Sequence, residues 1–265
     1  MANISPIVNL IKNHKLASIS VAAVVGVTAG IGGSIFTQNS RRISAIEEDT
    51  FTTTKNIGGN EYKAFGDTEA LDKFSKGIAE NKTKLMKELN ISEENYQKYT
   101  QVALALADVE TDSGNYLKYS YGLRELFNGS DIASAGLTNI KVDKKGGIKS
   151  QYQKFGIQYG SDIHKNPYKA GVATIIKIND TKRQYGVYCD TIDKNFPNLP
   201  KERKLSFQDY CLVVWKGKRC IEKGSTQKKA TETIDSIIKI KNGGKPESDF
   251  EREYKAWRTR LNQCK

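Results

Sequence analysis

Residues 16–36, LASISVAAVVGVTAGIGGSIF, run for 21 positions without a charged side chain. A helix needs roughly 20 such residues to cross a bilayer, so the stretch fits a single transmembrane helix and the rest of the chain must be built around it. Lys12 and Lys15 precede it, and Arg41 and Arg42 follow, with Glu47, Glu48 and Asp49 beyond. Basic residues on both flanks leave the positive-inside rule with little to decide. A cleaved export signal is the competing reading, since it too begins with a basic lead and an apolar stretch. The length of the stretch, and the lack of a small-x-small cleavage site before Arg41, favour a retained anchor. Ala22, Gly26 and Gly30 stand four apart, a spacing that lets membrane helices approach closely and makes a homo-oligomer a candidate. With the N-terminus inside, everything after residue 37 lies outside the cytoplasm.

Beyond the anchor the chain reads as mainly α. Residues 1–15 form a lead on the cytoplasmic or internal side. Residues 37–66, rich in Thr, Asn and Gly, read as a linker. Residues 67–220 read as the main domain, and residues 221–265 as a basic helical C-terminal extension. From Asp67, a good N-cap, Leu71, Phe74, Ile78, Leu85 and Leu89 recur at helical spacing. Ser92 caps the next helix, and Ile91 and Tyr96 flank its start as a hydrophobic staple. Its stripe of Tyr99, Val102, Leu106 and Val109 leads to Glu110, with Gly114 as the stop. Short helices end at Gly129 and Gly156. NPYKAGVATIIKI has Pro167 in a first turn and an apolar face of Val172, Ile175 and Ile176, the marks of a central helix. Ser206 with Asp209 three residues on opens SFQDYCLVVWKGK, and basic amphipathic helices near 226–240 and 247–263 close the chain.

The formal net charge of +12 is concentrated in the second half. Residues 1–140 hold 14 Lys/Arg against 16 Asp/Glu, and residues 141–265 hold 28 against 14. Such a balance suits an anionic lipid, an acidic polymer or a nucleic acid. Nucleic acid is not expected, because finger spacing, a basic zipper and an RNP-like strand are all missing from the sequence. Cys189, Cys211, Cys220 and Cys264 are even in number, show no CxxC spacing and have no histidine nearby; His14 and His164 are poorly placed for zinc. Two disulfides in an oxidising compartment fit these four, with three pairings open and four free thiols as the alternative.

Glu110 is the candidate for chemistry. Cleaving a glycosidic bond requires a proton for the leaving oxygen, hence a carboxyl group that is still protonated near neutral pH. A glutamate at a helix C-terminus, beside an apolar stripe and with Asp108 and Asp112 as neighbours, is pushed in that direction by the helix dipole, desolvation and like charge. On a single helix, however, most glutamates are solvated surface acids.

Order along the chain adds to this. ALADVETDSGN, then ASAGLTNIKV, then NPYKAGVATIIKI, then YCLVVWKGK resembles the soluble lytic transglycosylase family, relatives of goose-type lysozyme, over roughly residues 90–220. Glu110 and Thr111 match the catalytic glutamate and the small hydroxyl residue beside it. Ser134, Gly136, Leu137 and Ile140 match the next segment, with Asn139 where the family has glutamine. Asn166, Ala170, Gly171 and Ala173 match the third. In the fourth, Trp215 and Gly217 stand where the family shows Tyr-Asn-x-Gly, so the aromatic has changed, Lys216 replaces the amide and the spacing is one shorter. The resemblance implies a lysozyme-like transglycosylase domain that cleaves the β-1,4 bond between N-acetylmuramic acid and N-acetylglucosamine, with Glu110 catalytic. It implies substrate contacts from Thr111, Ser134, Asn139 and Trp215, with Tyr210 as the source of the missing tyrosine hydroxyl. One glutamate suffices in such a mechanism, and no cofactor or metal is needed. Asp112, Asp131 or Asp143 would orient a water if the enzyme hydrolyses instead. The partners implied are peptidoglycan glycan strands, with the lipid bilayer held through residues 16–36. The setting is then a bacterial envelope or a bacteriophage virion that contains a membrane. The competing class is an anchored wall-binding or structural protein without activity.

Overall fold

The computed structural model describes residues 52–65, 68–111, 134–141, 150–158, 160–216 and 227–263. The expected span at 16–36 lies outside these, as do the short helix before Gly129 and the stop at Gly114. Among the described residues no helix is long and apolar enough to cross a membrane. What is described is mainly helical, with two small antiparallel hairpins.

The first hairpin corrects the reading of residues 37–66 as a linker throughout. Strands β1 (Thr52–Ile57) and β2 (Asn60–Phe65) pair antiparallel, with Ile57 opposite Asn60. Gly58 and Gly59, at φ +61° and +88°, make the two-residue turn, whose left-handed backbone matches the twist of the strands. Ile57, Tyr62 and Ala64 are buried in the core, while Thr54, Asn56, Glu61 and Lys63 face water. Three inward residues are enough to dock a ribbon that is polar on its other face.

Helix α1 (Glu69–Glu80) is capped by Thr68 rather than Asp67: the Thr68 hydroxyl accepts the Leu71 N–H at 3.0 Å. The single helix expected from Leu71 to Leu89 breaks at Asn81, after which α2 (Lys82–Leu89) resumes. The Asn81 amide donates to the Gly77 carbonyl and to the Tyr168 hydroxyl, both at 2.9 Å, so the break is bonded to a neighbouring helix. Helix α3 (Glu93–Thr111) starts at Ser92, and Ile91 and Tyr96 are both buried as a staple requires. Its expected stripe is buried, and so is every other residue from Val102 to Asp108 and Val109.

Further along lie hairpin β3 (Ser134–Ala135) and β4 (Ile140–Lys141), then short helices α4 (Ser150–Gln153) and α5 (Gly160–Lys165). Helix α6 (Pro167–Asn195) is the long central helix, and it extends well beyond NPYKAGVATIIKI. Asn166 caps it by accepting the N–H groups of Tyr168 and Lys169, and Pro167 occupies the first helical position, where no intrahelical donor is needed. α6 crosses α1 at backbone distance. A Cβ on Gly171 would stand 2.2 Å from the Phe74 carbonyl oxygen, and one on Gly77 would stand 2.1 Å from that of Tyr168.

Helix α7 (Phe207–Trp215) begins with a reciprocal cap: the Ser206 hydroxyl accepts the Asp209 N–H and donates to the Asp209 carboxylate. Helices α8 (Gln227–Lys241) and α9 (Asp249–Gln263) follow. Residues expected as an extension from 221 onward share the main core through Ile234, Ile237, Phe250, Tyr254 and Trp257. Buried Asp209 ties the three helices, accepting from the Tyr254 hydroxyl at 2.7 Å and from Lys241 at 2.6 Å.

Cys189 and Cys211 are free thiols, which corrects the expectation of two disulfides among the four cysteines; Cys220 and Cys264 lie outside the described residues. Cys211 sits in the core on α7, where its small apolar side chain packs as a hydrophobe.

Two measurements follow from these contacts. Gly171→Ala has nowhere to place its methyl and should lower unfolding free energy by about 1–3 kcal/mol in urea denaturation. Gly186→Ala, on the same helix with nothing within 4 Å of the added carbon, should raise it by roughly 0.5–1 kcal/mol. Burial also pushes the Cys211 thiol up to about 12 from 9.0, and the Tyr99 hydroxyl to about 12 from 10.0. Both groups are neutral when protonated, so the unfolded chain releases its protons first. Their stabilising effect is complete below pH 9.0 and is lost as pH rises towards about 12. Thermal melts across that window should show a steady fall that Cys211→Ala makes shallower.

Candidate active site

Glu110 stands in the last turn of α3, one residue before its terminal Thr111. Its side chain is only 6% exposed. Two elements reach it and a third holds one of its partners. The Asn139 amide, from the β3–β4 hairpin, donates to Oε2 at 3.2 Å. The Lys216 ammonium, just past α7, lies 2.7 Å from Oε1. The same ammonium lies 3.1 Å from Oε1 of Glu253 on α9.

The hairpin explains how Asn139 reaches that far. Its four-residue turn, Gly136 to Asn139, is closed by the Asn139 N–H donating to the Gly136 carbonyl at 3.0 Å. Gly136 (φ +74°) and Asn139 (φ +56°) both take left-handed backbone, which glycine adopts freely and asparagine tolerates. A side chain at Gly136 would also collide with Ala170 on α6, 2.8 Å from the added carbon. The tip is then fixed from two sides. The Thr174 hydroxyl donates to the Ala170 carbonyl and, at 2.7 Å, accepts from the buried Thr138 hydroxyl. The Trp215 indole N–H donates to the Thr138 carbonyl. The end of α3, the hairpin, the first turns of α6 and the end of α7 therefore meet in space.

The residues named from the sequence divide accordingly. Asn139 touches Glu110. Thr111 ends α3, and Ser134 pairs with Lys141 at the base of the hairpin. Trp215 is 8% exposed and bonded to the hairpin, so its ring is packed inside the protein instead of offering a face to a sugar. Tyr210 is also buried, with its ring centroid 5.4 Å from Tyr185 and 5.0 Å from Tyr188, in an aromatic cluster between α6 and α7. It lies six residues before Lys216, about 9 Å along the helix at 1.5 Å per residue. Asp112, Asp131, Asp143 and Gly217 lie outside the described residues.

Asp108 was expected to crowd Glu110 with like charge. Two residues earlier on a helix is about 200° around its axis. Asp108 accordingly points elsewhere, into a salt bridge with Arg260 of α9 at 2.7 Å in which each side chain is 2% exposed. The nearest described charge to Glu110 is instead positive.

Sequence reasoning missed Glu253 and Arg260. A signal was present: in SDFEREYKAWRTRL, Phe250, Tyr254, Trp257 and Leu261 mark an apolar face, and Arg260 flanks it and is itself buried. A charge on a buried face calls for a buried partner of opposite sign. Comparison of the chain with protein-family models, with curated proteins and with solved structures finds no match.

Arg260→Met removes the ion-pair partner of the buried Asp108 carboxylate and should cost about 3–5 kcal/mol in chemical denaturation. Pairing it with Asp108→Leu should recover most of that loss, because two apolar groups replace both charges.

Proposed function

We propose that the chain is a membrane-anchored peptidoglycan lytic transglycosylase with Glu110 as its single acid and base. The observation that carries this reading is the convergence on Glu110. A carboxyl at the end of a buried helix is contacted by an amide from the SAGLTN hairpin, and that hairpin is seated on the helix that begins at Asn166. Two of the four segments contact the carboxyl directly, and a third seats the hairpin that reaches it, which supports the reading.

In the proposed reaction Glu110 gives its proton to the glycosidic oxygen between N-acetylmuramic acid and N-acetylglucosamine. It then takes the proton of the muramyl C6 hydroxyl as that oxygen closes a 1,6-anhydro ring. Asn139 orients the carboxyl. The excess of Lys and Arg in the second half of the chain favours encounter with the acidic wall. Residues 16–36 hold the domain at a bilayer, on the outer side of the cytoplasmic membrane or in the membrane of a virion.

One observation favours a second reading. Lys216 is seated on the carboxyl, and the side chain has little exposure, an arrangement also suited to a wall-binding protein that does not cut glycan.

Purified sacculi separate the two. The wild type should clear a sacculus suspension and release anhydro-muropeptides detectable by mass spectrometry, and Glu110→Gln, checked for folding by circular dichroism, should do neither. An active Glu110→Gln would sink the assignment. Products with ordinary reducing ends would mean hydrolysis, and binding without any release would favour the wall-binding reading.

A further inference from the structure

The chemistry proposed for Glu110 depends on where the neighbouring ammonium is held. A general acid must pass its proton to the leaving oxygen along a fixed line. The Lys216 ammonium, 2.7 Å from Oε1, stands beside that path, so its position bears on the reaction. A second anion holds the same ammonium.

Glu253 is placed to share it. Its Oε1 lies 3.1 Å from the same ammonium, and the Lys216 and Glu253 side chains are 14% and 12% exposed, so solvent screens the interaction weakly. The register of α9 is fixed independently of this contact. Arg260, two turns beyond Glu253, is locked to Asp108, and Trp257 between them is fully buried. Glu253 is thus presented to Lys216 by a helix anchored on α3 itself.

We infer that Glu253 is a positioning residue for the reaction proposed above, acting through Lys216. By drawing the ammonium towards α9 it keeps the charge on Lys216 from being spent wholly on Glu110. This rests on the transglycosylase reading. It also gives the C-terminal helix a part in the site that its basic composition does not suggest.

The test is a cycle of variants in the full-length protein. Glu253→Gln leaves the whole charge of Lys216 facing Glu110, and its rate of sacculus clearing should fall by about tenfold or more, within the range over which acid catalysis contributes. Sacculus binding should be unchanged, and Glu253→Asp should restore part of the rate. The deciding variant is Glu253→Gln with Lys216→Met, which should clear faster than Glu253→Gln alone, because the uncompensated ammonium is gone. A purely structural role for Glu253 would not be rescued by removing Lys216. Equal rates for wild type and a folded Glu253→Gln, or a double variant as slow as the single one, would overturn the inference. A readout free of activity separates it from the functional reading: NMR of the Lys216 ammonium with isotopically labelled lysine. The resonance should shift or exchange faster in Glu253→Gln and in Glu110→Gln. If wild type releases no muropeptide while that signal responds, the transglycosylase reading fails and the shared lysine stands. If the signal ignores Glu253→Gln, the inference fails whatever the activity.

Discussion

Helix α3 has no exposed residue between Val102 and Val109, and this complete burial dictates how the rest of the described chain is arranged. A helix with one apolar face needs one neighbour, whereas a helix buried all round must be enclosed. Its small residues, Ala103, Ala105 and Ala107, allow close approach, and β2, α6 and α9 supply the walls. The polar group on this stretch cannot be left bare. Asp108 is paired with Arg260, a residue 152 positions later, so enclosing α3 requires a segment that arrives only at the end of the chain. The N-terminal hairpin and the C-terminal helix are both parts of one enclosure.

The second determinant is the crossing of α1 and α6. Gly77 and Gly171 each remove a side chain where the other helix presents a carbonyl, and the two backbones meet. That proximity sets the height of α6, and with it the positions of Ala170 and Thr174, on which the β3–β4 turn rests. The Ala-Gly pair in the sequence is therefore a packing element. It fixes the platform from which Asn139 reaches Glu110.

Features decided within one turn of chain were legible in the sequence. Pro167 in a first turn, Ser206 with Asp209, and Ile91 with Tyr96 around Ser92 are local signals, and the structure has each of them. The β1–β2 hairpin was not legible, because its inward face holds only Ile57, Tyr62 and Ala64 amid threonine, lysine and asparagine, and composition outweighed alternation. The break at Asn81 was hidden for a different reason: its amide bonds to Tyr168, 87 residues away. In the site, Asn139 was expected against substrate, and its amide instead donates to Glu110, a contact that the order of motifs does not specify. Glu253 was not legible either, since charge pairing across the fold leaves no periodic trace. Trp215 was given a substrate contact by the resemblance alone; in the structure it is buried, with its indole N–H holding the hairpin.

Trp215 and Lys216 are neighbours in the chain, and each governs one oxygen of the same carboxyl. Trp215 holds the carbonyl of Thr138, the residue before Asn139, while Lys216 reaches Oε1 directly. Two described partners of Glu110 therefore depend on the C-terminal end of α7, the ammonium directly and the amide through a hairpin that α6 also holds. A displacement of that helix end would move the ammonium while α6 retained the hairpin, so the two contacts on the carboxyl would part company.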